Sequence, residues 1–196
     1  MNQQQKKIQR QEQILSRLDD LGYATRKQVQ VIESLGGDRN AHRILHEMEK
    51  DKLISSVRRE QKIYFLSGSG KNIIGSTKEL KQSHIDHTLM KNDMYIKLGM
   101  PKSWQTEVPV KLNDQEKYLI SDAMFNVDNK VSFIEIDNLQ AMQTNDDKIL
   151  KYGKLFKAMF RQYKEHPTLI WYTLSDVRKK KLEEACNKHG IKFKIY

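Results

Sequence analysis

The sequence predicts an α/β protein in two parts: a helical N-terminal segment closed by a β-hairpin, then a larger domain whose helices and strands alternate around a mixed sheet. Three observations carry this. Apolar residues recur at helical spacing up to residue 52 and then switch to two short strand-like runs. Beyond residue 80 helical and strand patterns alternate. Between the two regimes lie Ser67, Gly68, Ser69 and Gly70, the head of a Gly/Ser-rich stretch reaching Ser76. That stretch reads as a seam and divides the chain into domains at 1–70 and 80–196.

In the first part, Ile8, Ile14, Leu15, Leu18 and Leu21 make one stripe of a helix over 6–21, which Gly22 ends. Thr25 is the expected N-cap of a helix over 26–35, with Val29, Val31 and Ile32 inside and Gly36 and Gly37 closing it. Asp38 is the expected cap of a third helix over 39–52, whose inner stripe is Ala41, Ile44, Leu45 and Met48. Strands follow at 53–59 and 62–66, joined by a polar turn at Arg59, Glu60 and Gln61. Three helices and a two-stranded hairpin in this order make a winged helix, a variant of the helix-turn-helix. The first helix is longer than that unit needs, so its apolar stripe serves either a two-fold homodimer or the core.

In the second part a helix is expected over 84–98, then strands at 105–112, 117–125 and 130–137. Residues 126–129 supply a hairpin turn between the last two. A long helix over 146–165 is stopped by Pro167, and 168–174 is an apolar, buried strand. Ser175 caps a helix over 176–189, Gly190 closes it, and 191–196 is a final strand.

Of 196 residues, 35 are Lys or Arg and 25 are Asp or Glu, a net charge of +10 spread over both halves. No apolar run approaches the roughly 20 residues of a membrane span. Lys6 and Lys7 are not followed by the apolar segment of a secretory signal. The single cysteine, Cys186, excludes an internal disulfide and a cysteine-built zinc site. A cytoplasmic protein without membrane contact is expected, and the basic balance puts nucleic acid first among its partners.

Three constellations are candidates for function. On the third helix Arg39, Asn40, His42, Arg43 and His46 lie outside the apolar stripe, where a helix-turn-helix enters the major groove. Arg pairs bidentately with guanine and Asn with adenine, while Arg58, Arg59 and Lys62 of the hairpin are placed for the phosphate backbone. Double-stranded DNA is the partner this implies; protein docking is the other use of such a unit. The second constellation is acidic. Glu135 and Asp137 share a strand face with Val131 and Phe133, the hairpin brings Asp122 beside them, and Glu107 joins from the preceding strand. Acids flanked by apolar residues need a cation. It is either Mg²⁺, held by Asp122 and Glu135 for phosphodiester cleavage, or a side chain of Lys148, Lys151 or Arg178. The third is His84 and His87, three apart, without a third ligand at a recognisable spacing. The tyrosines fall in apolar patterns, Cys186 has no activating neighbour in sequence, and no glycine-rich phosphate loop occurs.

The chain resembles the replication-relaxation family of plasmids and mobile elements. The resemblance rests on the helix start from His84 to Asn92, on Ile120, Ser121, Asp122 and Ala123, and on the run from Phe133 through Glu135 to Asp137. It extends to Lys148, Ile149, Leu150, Lys151 and Tyr152, and to the strand from Leu169 to Thr173 with Ser175, Asp176, Val177 and Arg178 after it. The resemblance implies a winged helix followed by a restriction-endonuclease-like domain. It also implies DNA work in replication, relaxation or mobilisation, with a relaxase or replication initiator as a further partner. Two positions depart from the pattern. Ser121 stands where the family often has Pro, and Asp137 stands where an active endonuclease of this fold has Lys. Without that lysine to polarise the attacking water, the second domain is expected to be a non-catalytic assembly platform. The rivals are a Mg²⁺-dependent nuclease using Glu107, Asp122, Glu135 and Asp137 with Lys148 or Lys151, and a transcriptional regulator of the element.

Overall fold

The computed structural model describes residues 2–112 and 115–196. Its contacts divide the chain into two compact units, Met1–Ile96 and Lys97–Tyr196.

The first unit runs α1 (Gln3–Leu21), β1 (Ala24–Thr25), α2 (Arg26–Ile32), α3 (Asp38–Lys50), β2 (Ile54–Arg58), β3 (Lys62–Leu66), α4 (Gly68–Ile74) and α5 (Ile85–Lys97). Capping boxes open α1 (Asn2 with Gln5) and α2 (Thr25 with Gln28), which satisfies the first free N–H groups of each helix. Ile14, Leu15 and Leu18 of α1 share one core with Ala41, Ile44, Leu45 and Met48 of α3. The α1 stripe therefore serves the core and leaves only Ile8, at 46% exposure, as apolar surface. The sheet order is β1-β3-β2, all antiparallel, and Arg58 pairs with Lys62 at the hairpin end.

Several sequence expectations are corrected here. Asp38 does not cap α3: it is the first helical residue, Gly37 precedes it without a side-chain cap bond, and Asp38 receives Arg26 instead. Val31, expected inside α2, is 40% exposed because it lies about 200° round the helix from buried Val29. The Gly/Ser stretch is a helix, not a seam. Ser67 caps it by accepting from the Gly70 N–H at 3.0 Å, and Ile74 packs on the core. Glycine at 70 is what lets this helix approach so closely, since a Cβ there would sit 2.0 Å from the Leu53 carbonyl oxygen. Residues 80–96 also fall in the first unit rather than the second. Asn92 donates to the Tyr23 carbonyl at 2.7 Å, Gln28 donates to the Leu89 carbonyl at 2.9 Å, and Ile85 packs with Tyr23 and Ile63. His84 ends a 3₁₀ turn (Gln82–His84) before α5 and is exposed, so it does not share a helical face with His87.

The second unit runs β4 (Gln105–Leu112), β5 (Gln115–Val127), β6 (Lys130–Ile136), α6 (Met142–Tyr163), β7 (Thr168–Tyr172), α7 (Asp176–Lys188) and β8 (Phe193–Ile195). The sheet is mixed, in the order β4-β5-β6-β7-β8, with β4, β5 and β6 antiparallel and β6, β7 and β8 parallel. Asp128 and Asn129, both at positive φ (51° and 58°), form the two-residue turn that returns β5 into β6. Central β6 is buried on both faces from Phe133 to Ile136. Phe133, Leu169 and Trp171 meet Ile149, Tyr152, Leu155 and Leu182 in one core. Lys164 at φ 59° ends α6 three residues before Pro167. Among the described residues no helix is long and apolar enough to cross a membrane.

Candidate functional site

Each unit brings one predicted constellation together. In the first, Arg39, His42, Arg43 and His46 are exposed on α3, with the His42 and His46 rings stacked 6.0 Å apart. Asn40 does not stand free for a base. Its amide donates to the Leu35 carbonyl at 2.8 Å, and its Oδ1 accepts from Arg43 at 3.0 Å. Arg43 also pairs with Glu47 at 2.7 Å, a surface contact that holds its fork loosely. In the hairpin, Arg58 is exposed and makes no ion pair with a described residue. Arg59 bonds Asp86 at 2.8 Å, and Lys62 bonds Glu49 at 2.6 Å. Glu49 also accepts from Ser56 at 2.6 Å, so one α3 carboxylate fastens both hairpin strands to the helix.

In the second unit the acids converge around β6. Asn145, Lys148 and Tyr152 lie three and four residues apart, on one stripe of α6. Lys148 Nζ donates to Glu135 Oε2 at 2.5 Å, and the Tyr152 hydroxyl donates to Oε1 at 2.6 Å. Asn145 donates to Asp137 Oδ1 at 2.9 Å. Arg178, from the first turn of α7, grips Asp137 with two bonds of 2.5 Å and reaches the Gln140 carbonyl at 2.6 Å. Asp122, on β5, accepts the Ile136 N–H at 2.7 Å. Glu135 is fully buried, Asp137 nearly so, and Asp122 is 8% exposed.

Glu107 sits opposite Asp122, between the Thr106–Ala123 and Val108–Ser121 pairs. It is exposed at φ 52°, and its carboxylate lies within 4.8 Å of that of Asp122. Lys151 does not join. The offset between helical turns gives its place on the stripe to Tyr152 and leaves the lysine exposed. Ser121 ties β5 to β6, its hydroxyl donating to the Ala123 carbonyl at 2.7 Å and to the Ile134 carbonyl at 3.2 Å.

The electrostatics follow from one lysine serving several carboxylates. Burial, reinforced by the charge of Asp122, pushes Glu135 from the usual 4.5 up to about 8, against the pull of Lys148 and Tyr152. Burial draws Lys148 down, yet the charges of Glu135, Asp122 and Glu107 hold it above its usual value. Burial also opposes ionisation of Asp137, but its bonds from Arg178, Asn145 and Thr173 keep it below the usual carboxylate range. Burial thus favours the protonated form of Glu135, whereas the donors around Asp137 favour its ionised form. Asn145, Tyr152 and Gln140 were not legible as members. They are polar residues in helical or loop patterns, recruited only because α6 lies across β6.

Fold and site together define an α/β protein whose mixed sheet carries a buried carboxylate, lysine and arginine network at the C-terminal end of its central strand. The sequence profile described as replication-relaxation matches residues 15–168, and the chain belongs to that family. No curated protein matches the chain. Two solved structures share a loose likeness. Protein VC1899 from Vibrio cholerae is 14% identical with a TM-score of 0.38, over 95% of this chain and 52% of that one. Can2 from Sulfobacillus thermosulfidooxidans, in complex with cyclic tetra-adenylate, is 15% identical with a TM-score of 0.32, over 97% and 49%. The chain spans about half the length of these structures, and likeness at such scores bears on neither fold nor function here.

Proposed function

We propose that this is a DNA-binding protein of a plasmid, phage or integrative element. Its first unit acts as a winged helix on duplex DNA, and its second is a restriction-endonuclease-like fold that assembles rather than cleaves. The exposed row of Arg39, His42 and Arg43 on α3, beside a hairpin carrying Arg58, is the observation that carries the first half. Arg39 and Arg43 read bases, and Arg58 contacts phosphate. In this role the protein works as a two-fold homodimer beside a relaxase or replication initiator. Light scattering at micromolar concentration giving the monomer mass would remove the dimer.

The non-catalytic half rests on the donor chemistry of the acids. Both oxygens of Glu135 and both of Asp137 already accept hydrogen bonds from protein groups, and Lys148 and Arg178 supply the positive charge that a metal would otherwise bring. A Mg²⁺ ion bridging Asp122 and Glu135 would have to share Glu135 with Lys148 and Tyr152. The rival nuclease is favoured by one feature: Lys148 reaches Glu135 from α6 and feels the charges of Asp122 and Glu107, a substitute for the lysine missing at Asp137. Supercoiled DNA with Mg²⁺ or Mn²⁺ separates the two readings. The expected result is no cleavage, and cleavage lost in Asp122→Asn would establish the nuclease. For DNA reading, Arg39→Ala and Arg43→Ala should each weaken a specific duplex by about 1–3 kcal/mol. Arg58→Ala should weaken all duplexes alike and lower the salt slope by about one unit. Unchanged duplex affinity in the Arg39→Ala/Arg43→Ala pair would remove α3 as the reader.

A further inference from the structure

The first two turns of α1, up to residue 10, are exposed, so this helix runs past the core that its later turns build. The stripe that packs on α3 shows where the core ends. Lys7, Gln11, Ile14, Leu18 and Leu21 recur four and three residues apart and share one face. Only the last three are apolar and buried. Lys7 instead reaches Glu47 of α3 at 3.6 Å. There Lys6, Lys7 and Arg10 of α1 and Arg43 of α3 line a cavity of about 390 Å³, with Glu47 as its acidic member. Lys6 and Arg10 form no ion pair with a described residue. The helix dipole disfavours cations at this end of a helix, so the fold of α1 does not account for them.

Their position around α3 identifies the partner. At about 100° per residue, Glu47 and Glu49 stand about 200° apart on that helix. Glu47 takes Lys7 of α1, whereas Glu49 takes Ser56 and Lys62 of the hairpin. The basic end of α1 and the hairpin with Arg58 therefore flank α3 on opposite sides. On the arc of about 160° between them stand Arg39, His42, Arg43 and His46, all exposed. Ala41, Ile44, Leu45 and Met48 fill the other arc and are buried. A helix seated in a major groove meets the same arrangement, with base edges ahead of it and a phosphate backbone on each side. We infer that Lys6, Lys7 and Arg10 hold the phosphate backbone on the side of α3 opposite the hairpin, so that one duplex is gripped by both of its strands. The assignment rests on the reading of α3 as the groove helix, and it gives the extra turns of α1 a function. A free anion or a single strand could enter the cavity, but neither would use cations on both sides of α3.

The test is fluorescence anisotropy of the full chain with two labelled duplexes of about 30 base pairs, one selected from a random pool by the wild type and one of mixed sequence. Lys6→Gln/Lys7→Gln/Arg10→Gln should weaken both duplexes by about tenfold or more and lower the salt slope by about two to three units, at roughly 0.9 per phosphate contact. The ratio of the two affinities should stay that of the wild type, because phosphate contacts carry no sequence information. Arg39→Ala/Arg43→Ala should instead lower that ratio. If the triple variant keeps wild-type affinity and salt slope while the α3 pair lowers the ratio, this assignment falls and α3 remains the reader. If the α3 pair leaves the ratio unchanged, the reading of α3 falls and takes this assignment with it. The control Lys154→Gln/Lys157→Gln/Arg161→Gln removes three exposed cations of the second unit, and duplex binding should survive it. An equal loss in the control would mark diffuse electrostatics and overturn the assignment. Glutamine forms helix about as well as lysine and arginine, and all the replaced α1 side chains are exposed, so the melting temperature should not change.

Discussion

Replacing Glu135 by Gln tests whether the buried site keeps its proton. Glutamine has the shape of a protonated glutamate and no charge at any pH. In the wild type the carboxyl titrates near 4.5 when unfolded and at about 8 when folded. The raised value means that the folded state binds more protons across this window, so the carboxyl's contribution is fully present below 4.5 and is lost as pH rises through about 8. At about 1.4 kcal/mol per pH unit, the full shift sets a ceiling of about 5 kcal/mol. Both tryptophans, Trp104 and Trp171, lie in the second unit, so urea unfolding followed by their fluorescence reports on it. The wild type and Glu135→Gln should be similar at pH 5. Their difference should then move in favour of the variant toward pH 8, by up to about 1.4 kcal/mol per unit. Other titrating groups cancel in that difference. A variant destabilised by a constant amount, about 3–5 kcal/mol, from pH 5 to 8 would refute the reasoning. It would mean that Glu135 and Lys148 form an ion pair charged throughout.

Asp137 behaves oppositely, since its lowered pKa gives stability that is present above the usual 3.8 and lost as pH falls through the folded value. Arg178→Ala strands that buried carboxylate, and it should cost about 3–5 kcal/mol at neutral pH and less at pH 3, read by the same unfolding curves. Gly70→Ala would place a methyl 2.0 Å from the Leu53 carbonyl oxygen, so thermal melting should show a loss of about 1–3 kcal/mol. Cys186 is buried, which pushes its thiol up to about 12, so iodoacetamide at pH 8 should leave it unmodified until urea is added. Rapid labelling of the native protein would mean that the α7 core opens readily.

What the sequence determined is whatever local chemistry enforces. Thr25 and Ser175 accept from backbone N–H groups three residues on, so those helix starts were legible. Asp128 and Asn129 tolerate positive φ, so the β5–β6 turn was too. Alternation along β6 placed Glu135 and Asp137 on the face of Phe133, and that face was read correctly before any partner was known. Tertiary structure decided the rest, because it depends on packing between distant segments. The Gly/Ser run at 67–76 has the composition of a linker, yet it is helical, since Ser67 caps it and Gly70 allows contact with Leu53. The first unit reaches residue 96 because Asn92 and Gln28 close hydrogen bonds spanning more than 60 residues, which no periodicity records. Lys148 and Lys151 looked equivalent as partners for the acids. Only the angle at which α6 crosses β6 chose Lys148, turned Lys151 to solvent and brought Arg178 from a third segment onto Asp137.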